Sequence, residues 1–417
     1  MSKYIITGGY KLDGKIAVDS AKNAYLPIMA ASIICSGEVV LHNYPDFVDV
    51  KNMAKILEIL GAKITYQDDA MIIDSSSVAA KFVPVEVAKM LRSSIFTMGA
   101  LLARFRKARL AYPGGCDIGL RPIDLHLKSL RDLNVKIQEV HGIINCDASK
   151  MNGGRVVLDF PSVGATENLI MASVLGKGKT LILNCAREPE IVDLANFLNK
   201  CGAKILGAGT SSIEIEAVGA LSGCEYTPIG DRIIAGTYLT AAAITGGKIE
   251  LEGVNPQNFA TLIDKLHNSG CVFGIKSGKI YMRSPKILKS VGFVETSVYP
   301  GFPTDMQAQM LTMLSVARGC SIIQENLFES RFKFVPELIK MGASIRVKER
   351  AAIVEGVPFL SGAEVYAKDL RGGASLVLAG LNAHGYTTVH DIYHIERGYS
   401  NLDKALNSLG ASIRKEE

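Results

Sequence analysis

Apolar positions along the chain form a pattern that repeats about every 70 residues. Each period starts with a helix-length segment that is apolar on nearly every face, which predicts a buried helix. A short apolar strand follows, and then an amphipathic segment whose apolar residues recur at intervals of three and four, which predicts a surface helix. The six predicted buried helices are KNAYLPIMAASIICS, RSSIFTMGALLARF, ATENLIMASVLG, RIIAGTYLTAAAIT, DMQAQMLTMLSVA and RGGASLVLAGLNA.

A short string marks the end of each predicted surface helix. The strings are LGAKI, LNVKI, CGAKI, SGCVF, MGASI and LGASI, and their second residues are Gly61, Asn134, Gly202, Gly270, Gly342 and Gly410, separated by 73, 68, 68, 72 and 68 residues. Glycine supplies the left-handed residue that ends a helix, and asparagine is its usual substitute. The sequence therefore predicts six helix-to-strand turns in six repeats of nearly equal length.

The last repeat is truncated, since only RKEE follows Ile413. The N-terminal segment ITGGYKLDGKIAVDS resembles VEGVPFLSGAEVYAKD (354–369), so we infer that residues 1–20 complete the sixth repeat. The predicted fold class is α/β with two domains. Residues 21–230 form the first three-repeat domain, and residues 231–417 together with 1–20 form the second.

Composition agrees with a compact two-domain or repeat protein. Hydrophobic residues are 48% of 417 and charged residues 21%, unlike disordered chains. No apolar run reaches the ~18 residues of a membrane span, and the N-terminus lacks a signal-peptide pattern, so we expect a cytoplasmic protein.

The eight cysteines include no C-x-x-C pair, which argues against a zinc ribbon or a disulfide framework. The net charge of +5 contains no basic block, so we expect neither nucleic acid nor a membrane surface as a partner.

Charged residues gather where the predicted buried helices begin. If the helices of three equivalent repeats run parallel, their N-termini emerge at one end, which carries partial positive charge. The residues predicted at these helix starts are Lys22, Arg92, Arg232, Asp305 and Arg371, while Arg121, Arg187, Arg331 and Arg397 precede the surface helices. We therefore expect a cleft between the two domains that binds multiply charged anions.

The segment PGGCDIGLRPIDLH (113–126) places Cys116 in a glycine-rich turn near arginines. Most cysteines of such a chain are inert buried thiols, but a thiol near guanidinium groups has a tunable pKa and can serve as a general acid or a nucleophile. Cys116 is therefore the candidate reactive cysteine.

The chain resembles the enolpyruvyl transferase family over its whole length. The resemblance rests on several motifs in the family's order: AKNAYLPI (21–28), PGGCDIGLRPIDLH (113–126), PSVGATEN (161–168), AREPEIVD (186–193), FPTDMQAQ (302–309), FESRF (328–332), DLRGGASLVLAG (369–380) and IERGY (395–399). It implies the inside-out α/β barrel fold, with two domains of three repeats. It also implies transfer of the enolpyruvyl group of phosphoenolpyruvate to the 3-hydroxyl of UDP-N-acetylglucosamine, without a metal or a cofactor. Peptidoglycan synthesis depends on this step.

The resemblance also implies roles for individual residues. Cys116 is likened to the acid that protonates phosphoenolpyruvate and to the thiol that fosfomycin alkylates, and Asp305 to the base for the sugar hydroxyl. Phosphoenolpyruvate is implied to bind Lys22, Asn23, Arg121, Arg331, Arg371 and Arg397, and Lys22 and Arg397 are implied to be catalytic as well. The nucleotide sugar is implied to bind Arg92, Arg121, Pro122, Ile123, Asp124, Leu125, Phe160, Pro161, Ser162, Val163, Asp305 and Leu327.

Several alternatives stay open at the level of sequence. Asp305 could simply cap its helix, and Arg92 could form a structural ion pair. His384, His390 and His394 with Asp391 suggest a metal site, but their spacing matches no strong motif, so we favour ordinary strand and loop residues. The family also includes the enzyme that acts on shikimate 3-phosphate, which lacks the cysteine loop. A binding protein for UDP-sugars without activity is a further possibility, and the oligomeric state is open.

Overall fold

The computed structural model describes residues 2–114 and 122–417. The described residues form two compact units, which we call the N-unit (20–114 and 122–229) and the C-unit (2–19 and 230–417). The boundaries predicted from the sequence lie at 20/21 and 230/231 and stay a prediction of the domain organisation. No helix among the described residues is both long and apolar enough to cross a membrane.

The chain begins with two strands, β1 (Lys3–Thr7) and β2 (Asp13–Ala17), and continues into the three repeats of the N-unit. The first repeat contains α1 (Lys22–Ala31), β3 (Cys35–Ser36), β4 (Glu38–Leu41), α2 (Val48–Leu60), β5 (Lys63–Gln67) and β6 (Ala70–Asp74). The second contains β7 (Phe82–Val83), α3 (Val85–Met90), α4 (Phe96–Phe105), β8 (Lys107–Ala111), α5 (Asp124–Asp132), β9 (Lys136–Val140) and β10 (Ile143–Asp147). The third contains β11 (Arg155–Val157), α6 (Val163–Val174), β12 (Lys179–Leu183), α7 (Pro189–Lys200), β13 (Lys204–Leu206), β14 (Ser212–Glu216), β15 (Leu221–Ser222) and β16 (Glu225–Tyr226).

The C-unit repeats the same order of elements. The fourth repeat contains α8 (Arg232–Ile244), β17 (Lys248–Glu252), α9 (Ala260–Asn268), β18 (Val272–Lys276) and β19 (Lys279–Arg283). The fifth contains β20 (Gly292–Glu295), α10 (Gln307–Leu314), β21 (Cys320–Gln324), α11 (Val335–Lys340), β22 (Ser344–Lys348) and β23 (Ala351–Glu355). The sixth contains β24 (Glu364–Tyr366), α12 (Leu370–Asn382), β25 (Tyr386–His390), α13 (Tyr393–Glu396), α14 (Leu402–Ser408) and β26 (Ser412–Glu416). Among the described residues, 3-10 helices at Ser32–Ile34, Arg92–Ile95, Pro256–Phe259 and Thr304–Met306 adjoin these helices.

Each unit contains three four-stranded sheets that share one strand order. A parallel edge strand pairs with the strand after the buried helix, and two antiparallel strands complete the sheet. The N-unit sheets have the orders β16-β4-β6-β5, β7-β8-β10-β9 and β11-β12-β14-β13, and the C-unit sheets β2-β17-β19-β18, β20-β21-β23-β22 and β24-β25-β1-β26. The predicted α/β fold of six repeats is therefore confirmed.

Both predicted helix types are present. The buried helices α1, α4, α6, α8, α10 and α12 have nearly all their side chains inside the protein. Their small residues allow close packing: a Cβ on Gly99 of α4 would come within 2.6 Å of the carbonyl oxygen of Asn168 in α6. The six turn positions all have a positive φ, from 63° at Asn134 to 105° at Gly202, as the sequence predicts.

The N-terminal strands go to two different sheets. β1 pairs with β25 and β26 and so fills the missing strand of the sixth repeat, as predicted. β2 instead lies parallel to β17 in the fourth repeat, so the assignment of all residues 1–20 to the sixth repeat was wrong. The edge strand that precedes α8 in the chain, β16, pairs with β4 of the N-unit. The edge of the fourth sheet therefore needs another strand, and β2 satisfies its backbone groups.

Candidate functional site

Two of the candidate residues, Cys116 and Arg121, lie outside the described residues. The other candidates belong to the starts of buried helices, to the loops before surface helices, or to the start of α5.

The C-unit brings Asp305, Arg331 and Arg371 into direct contact. Asp305 belongs to the 3-10 helix before α10, Arg331 to the loop before α11, and Arg371 to the first turn of α12. The Asp305 carboxylate accepts a hydrogen bond from Arg331 Nη2 through Oδ1, and Arg371 Nη2 lies 3.1 Å from Oδ2. Three residues that are distant in sequence therefore form one ion-paired cluster, in which both guanidinium groups are almost completely buried.

The buried guanidinium of Arg371 has N–H groups without hydrogen-bond partners among the described residues. It is 2% exposed, and its Nε and Nη1 have no hydrogen-bond partner among the described residues. Its guanidinium carbon lies 5.4 Å from the ring centre of Tyr399. Burial lowers the pKa of this guanidinium, but the charge of Asp305, together with Tyr399 and Asp231, outweighs burial, so the pKa of Arg371 is raised overall. A buried cation with unsatisfied N–H groups is suited to binding an anionic ligand.

The two interpretations of Asp305 can be compared with its contacts. The residues that precede the 3-10 helix and α10, Pro303 and Met306, provide no side-chain cap. The hydrogen bonds described for the Asp305 carboxylate come from the two arginines. Its contacts therefore favour a polar cluster over a simple cap, and its part in catalysis stays a prediction.

The N-unit places Lys22 and Asn23 in the first turn of α1. Lys22 is 8% exposed, and its Nζ lies 2.7 Å from Oδ2 of Asp49, which is itself buried in the first turn of α2. A lysine at a helix N-terminus is slightly unfavourable, so the carboxylate of Asp49 offsets part of the charge. Asn23 is half-buried beside it, and Arg92 is half-buried at the start of the 3-10 helix before α4.

The residues implied in nucleotide-sugar binding lie at the starts of α5 and α6, which pack against each other. Pro122 is exposed and Ile123 is buried before α5, while Asp124 and Leu125 begin that helix. Phe160 is exposed, and Pro161, Ser162 and Val163 are half-buried at the start of α6, where the Ser162 hydroxyl accepts a bond from Ala165 N at 3.4 Å.

His126 and Asn168 connect α5 to α6 and were missed by the sequence analysis. Asn168 Nδ2 lies 2.9 Å from His126 Nδ1, and Asn168 Oδ1 accepts a bond from Gly99 N at 2.7 Å. The amide of Asn168 is thus oriented by the backbone of α4, which makes His126 Nδ1 the acceptor. His126 is the last residue of the motif 113–126, and Asn168 is the last residue of the motif 161–168. Their places in these motifs were the only indication in the sequence that they belong to the site.

The remaining candidates lie in the C-unit. Arg397 is buried directly after α13. Leu327 is half-buried, and its amide donates to Glu325 Oε1 at 2.9 Å. Glu325 was also missed, because a lone glutamate at the end of a strand carries no motif of its own.

The histidines of the sixth repeat have structural contacts. His384 stacks on Phe359 with ring centres 4.5 Å apart, and His390 stacks on Tyr366 at 4.7 Å. Within residues 2–114 and 122–417, no three His, Cys, Asp or Glu side chains are arranged to hold a metal ion.

Comparison with known proteins identifies the family. The sequence profile of EPSP synthase (3-phosphoshikimate 1-carboxyvinyltransferase) matches residues 6–406. The chain is 49% identical, over 99% of both chains, to UDP-N-acetylglucosamine 1-carboxyvinyltransferase 2 of Caldanaerobacter subterraneus, and 44% identical, over the full length of both, to UDP-N-acetylglucosamine 1-carboxyvinyltransferase of Myxococcus xanthus.

Solved structures agree in fold. The enolpyruvyl transferase NikO from Streptomyces tendae superposes with a TM-score of 0.88 at 24% identity, over 99% of this chain and 98% of that one. The EPSP synthase of Acinetobacter baumannii gives 0.77 at 18% identity, over the full length of both. The fold is therefore the inside-out α/β barrel of these enzymes, and the chain belongs to the enolpyruvyl transferase family.

Proposed function

We propose that this chain transfers the enolpyruvyl group of phosphoenolpyruvate to the 3-hydroxyl of UDP-N-acetylglucosamine and releases phosphate. The names of relatives at 44% and 49% identity, which cover nearly the whole chain, support this substrate pair. In a bacterium this reaction is the first committed step of peptidoglycan synthesis, on which cell shape and division depend. Both substrates are intracellular metabolites, so we place the reaction in the cytoplasm.

The observation that best supports the proposal is the cluster of Asp305, Arg331 and Arg371. A carboxylate that can accept a proton lies against two guanidinium groups, one of which keeps two buried nitrogen atoms without hydrogen-bond partners among the described residues. The proposed reaction needs this combination, because a hydroxyl must lose a proton close to a substrate that carries a carboxylate and a phosphate.

The proposed chemistry is addition followed by elimination. The sugar hydroxyl oxygen bonds to C2 of phosphoenolpyruvate while a proton is added to C3, which gives a tetrahedral adduct. The adduct then loses a C3 proton and the C2–O bond to phosphate breaks, so the vinyl ether forms and phosphate leaves. Charge on the carboxylate and phosphate persists throughout, and fixed cations stabilise it without reorganisation.

The proposed roles follow the resemblance residue by residue. Cys116 donates the proton to C3, and its alkylation by fosfomycin belongs to the same proposal. Asp305 takes the proton of the sugar hydroxyl. Phosphoenolpyruvate is bound by Lys22, Asn23, Arg121, Arg331, Arg371 and Arg397. The uridine diphosphate sugar is bound by Arg92, by residues 121–125 and 160–163, and by Leu327.

Phosphate release tests the proposal. Purified protein is mixed with phosphoenolpyruvate and either UDP-N-acetylglucosamine or shikimate 3-phosphate, and free phosphate is measured over time. We expect release only with the nucleotide sugar. Release only with shikimate 3-phosphate would assign the chain to the sister reaction. Calorimetric binding of the nucleotide sugar without phosphate release would identify a binding protein instead.

A further inference from the structure

Glu325 is a completely buried carboxylate directly after β21. Its Oε1 accepts hydrogen bonds from the Thr296 hydroxyl at 2.8 Å and from the amides of Leu327 and Phe328 at 2.9 and 3.1 Å. Its Oε2 accepts from the Thr304 hydroxyl at 2.9 Å. Burial of a carboxylate is costly unless hydrogen bonds replace its lost hydration, and four donors converge on this one.

These donors belong to the segments that carry the proposed base and one of its arginines. Thr304 directly precedes Asp305 in the 3-10 helix before α10. Leu327 and Phe328 begin the loop that leads to Arg331, whose guanidinium carbon lies 5.7 Å from the ring centre of Phe328. Glu325 therefore connects two loops that are separate in sequence and fixes each of them through backbone or hydroxyl groups.

Thr304 connects Glu325 to the ion pair. Its hydroxyl donates to Glu325 Oε2 and accepts from Arg331 Nε at 3.3 Å. The same guanidinium contacts Asp305 through Nη2. Because a hydroxyl has one proton, the acceptor carboxylate of Glu325 directs that proton and leaves the oxygen lone pairs facing Arg331. The polar chain therefore runs from Glu325 through Thr304 to Arg331 and Asp305.

We propose that Glu325 is a positioning residue for the enolpyruvyl transfer reaction: through Thr304 and the 327–331 loop it holds Arg331 and Asp305 in the arrangement that proton removal requires. This inference rests on the proposed function, since it gives Asp305 the part of the base. Positioning within a fraction of an ångström is worth a large factor in rate, so loss of the connection lowers kcat.

The Glu325→Gln variant keeps the shape of the side chain but replaces one acceptor oxygen by an N–H₂ group. In one orientation of the new amide, its N–H₂ group faces the backbone amides of Leu327 and Phe328, which can only donate hydrogen bonds. In the other orientation it faces Thr304, whose hydroxyl then loses its acceptor. Thr304→Val removes the hydroxyl and keeps the volume, while Thr304→Ser keeps the hydroxyl.

Glu337 provides a matched control in the same unit. It is a buried glutamate of α11, 3% exposed, that accepts bonds from Lys340 Nζ at 2.7 Å and from the amide of Tyr366. Its other carboxylate oxygen lies 3.4 Å from Lys368 Nζ, and none of these partners is a candidate site residue. Glu337→Gln therefore reports the general cost of neutralising a buried carboxylate in the C-unit, without disturbing the polar chain.

The experiment measures kcat and KM for phosphate release from phosphoenolpyruvate and UDP-N-acetylglucosamine, together with thermal unfolding of each variant. We expect Glu325→Gln and Thr304→Val each to lower kcat about 10- to 100-fold with KM for the nucleotide sugar changed less than about threefold. The double variant should lose no more than the worse single variant, because both substitutions break one connection. Thr304→Ser and Glu337→Gln should keep kcat within about threefold of the unchanged protein.

Several results would overturn the proposal. They are a kcat of Glu325→Gln close to that of the unchanged protein, a loss confined to KM, equal losses in Thr304→Ser and Thr304→Val, or multiplicative losses in the double variant. If Glu325→Gln does not fold, the two Thr304 variants decide the question by themselves. An unchanged protein that releases no phosphate would refute the proposed function, a result distinct from all of these.

Discussion

The N-unit and the C-unit share one architecture, but Glu167 of the first and Asp305 of the second differ in their polar partners. In the C-unit, Asp305 is ion-paired with two buried arginines, and Asp231 and Asp369 cap α8 and α12 with two backbone bonds each. In the N-unit, Glu167 lies fully buried in α6, and neither of its carboxylate oxygens has a hydrogen-bond partner among the described residues. The repeat therefore determines where side chains lie, while the residue at each position determines whether its charge is stabilised.

Two buried carboxyl groups of the N-unit, Glu167 and Asp193, have raised pKa values. Burial, with the nearby charges of Glu190 and Glu188, raises the pKa of Glu167 well above its usual value of 4.5. Burial also raises the pKa of Asp193 to about 6, although the Tyr226 hydroxyl and the Ile229 amide partly oppose it. Groups of this kind bind protons on folding, so the N-unit gains stability as the pH falls towards the unfolded-state values.

The largest expected effect concerns the paired charges of the C-unit. Arg371→Met removes a buried guanidinium that contacts Asp305 and is proposed to bind substrate, so we expect kcat/KM for phosphoenolpyruvate to fall about 10³-fold. Arg346→Met, on the exposed side of β22, is the matched control and should leave kcat/KM unchanged. A loss smaller than about tenfold in Arg371→Met would mean that the unsatisfied N–H groups do not serve the reaction.

Much of the fold was predictable because the repeat is local. The spacing of Gly61 and its equivalents predicts six helix ends, and all six have the expected backbone conformation. The truncated last repeat predicts that the N-terminal segment supplies a strand, and β1 does so. The sheet that β2 joins was not predictable. β2 and β16 are edge strands with similar sequence patterns, and only the long-range pairing of β2 with β17 and of β16 with β4 shows which sheet each one joins.

The sequence names candidate site residues, whose roles stay predictions, but it does not predict their contacts. Arginines at helix starts and before surface helices were named from the repeat, yet the partners of Asp305 lie 26 and 66 residues away in the chain. Glu325, His126 and Asn168 act through hydrogen bonds to other polar groups. Such residues have no period and no spacing of their own, so only the folded arrangement reveals them.

The second expected effect is a change in the pH dependence of stability when Glu167 is neutralised. Glu167→Gln replaces the ionisable group by a neutral one of the same shape. Because the folded-state pKa is raised, the unchanged protein loses stability as the pH rises above about 4.5, by up to about 1.4 kcal/mol per pH unit until the folded-state pKa is reached. The variant lacks this loss, so it should be the more stable protein at pH 8 and close to equal near pH 4.5, as measured by urea unfolding.

A control of opposite sign comes from Glu216 in the same unit. Its hydrogen bond to Lys204 lowers the pKa of this exposed carboxyl, so its contribution to stability is present at neutral pH and is lost on acidification. Glu216→Gln should therefore be slightly less stable than the unchanged protein at pH 8, and the difference should fade in acid. If the free energies of unfolding of the Glu167 and Glu216 variants depended on pH in the same way, the raised pKa assigned to Glu167 would be contradicted.

The smallest expected effect compares the helix caps of the two units. Asp369 accepts bonds from Arg371 N at 3.0 Å and Gly372 N at 2.9 Å, whereas Ser162 accepts one bond from Ala165 N at 3.4 Å. We expect Asp369→Ala to lower the free energy of unfolding by about 1 to 2 kcal/mol and Ser162→Ala by about 0.5 kcal/mol or less. Hydrogen exchange measured by mass spectrometry reports the two units separately, with losses of protection in 230–417 and 20–229 respectively.

Asp369→Asn distinguishes capping from other uses of the Asp369 carboxylate. Asparagine caps helices about as well as aspartate does, so this variant should keep most of the protection that the alanine variant loses. If asparagine were as damaging as alanine, the negative charge itself, close to the buried Arg371, would be the stabilising feature. The C-unit would then hold a larger balanced charge cluster than Asp305 and its two arginines, and the contrast with the unpaired Glu167 of the N-unit would become stronger.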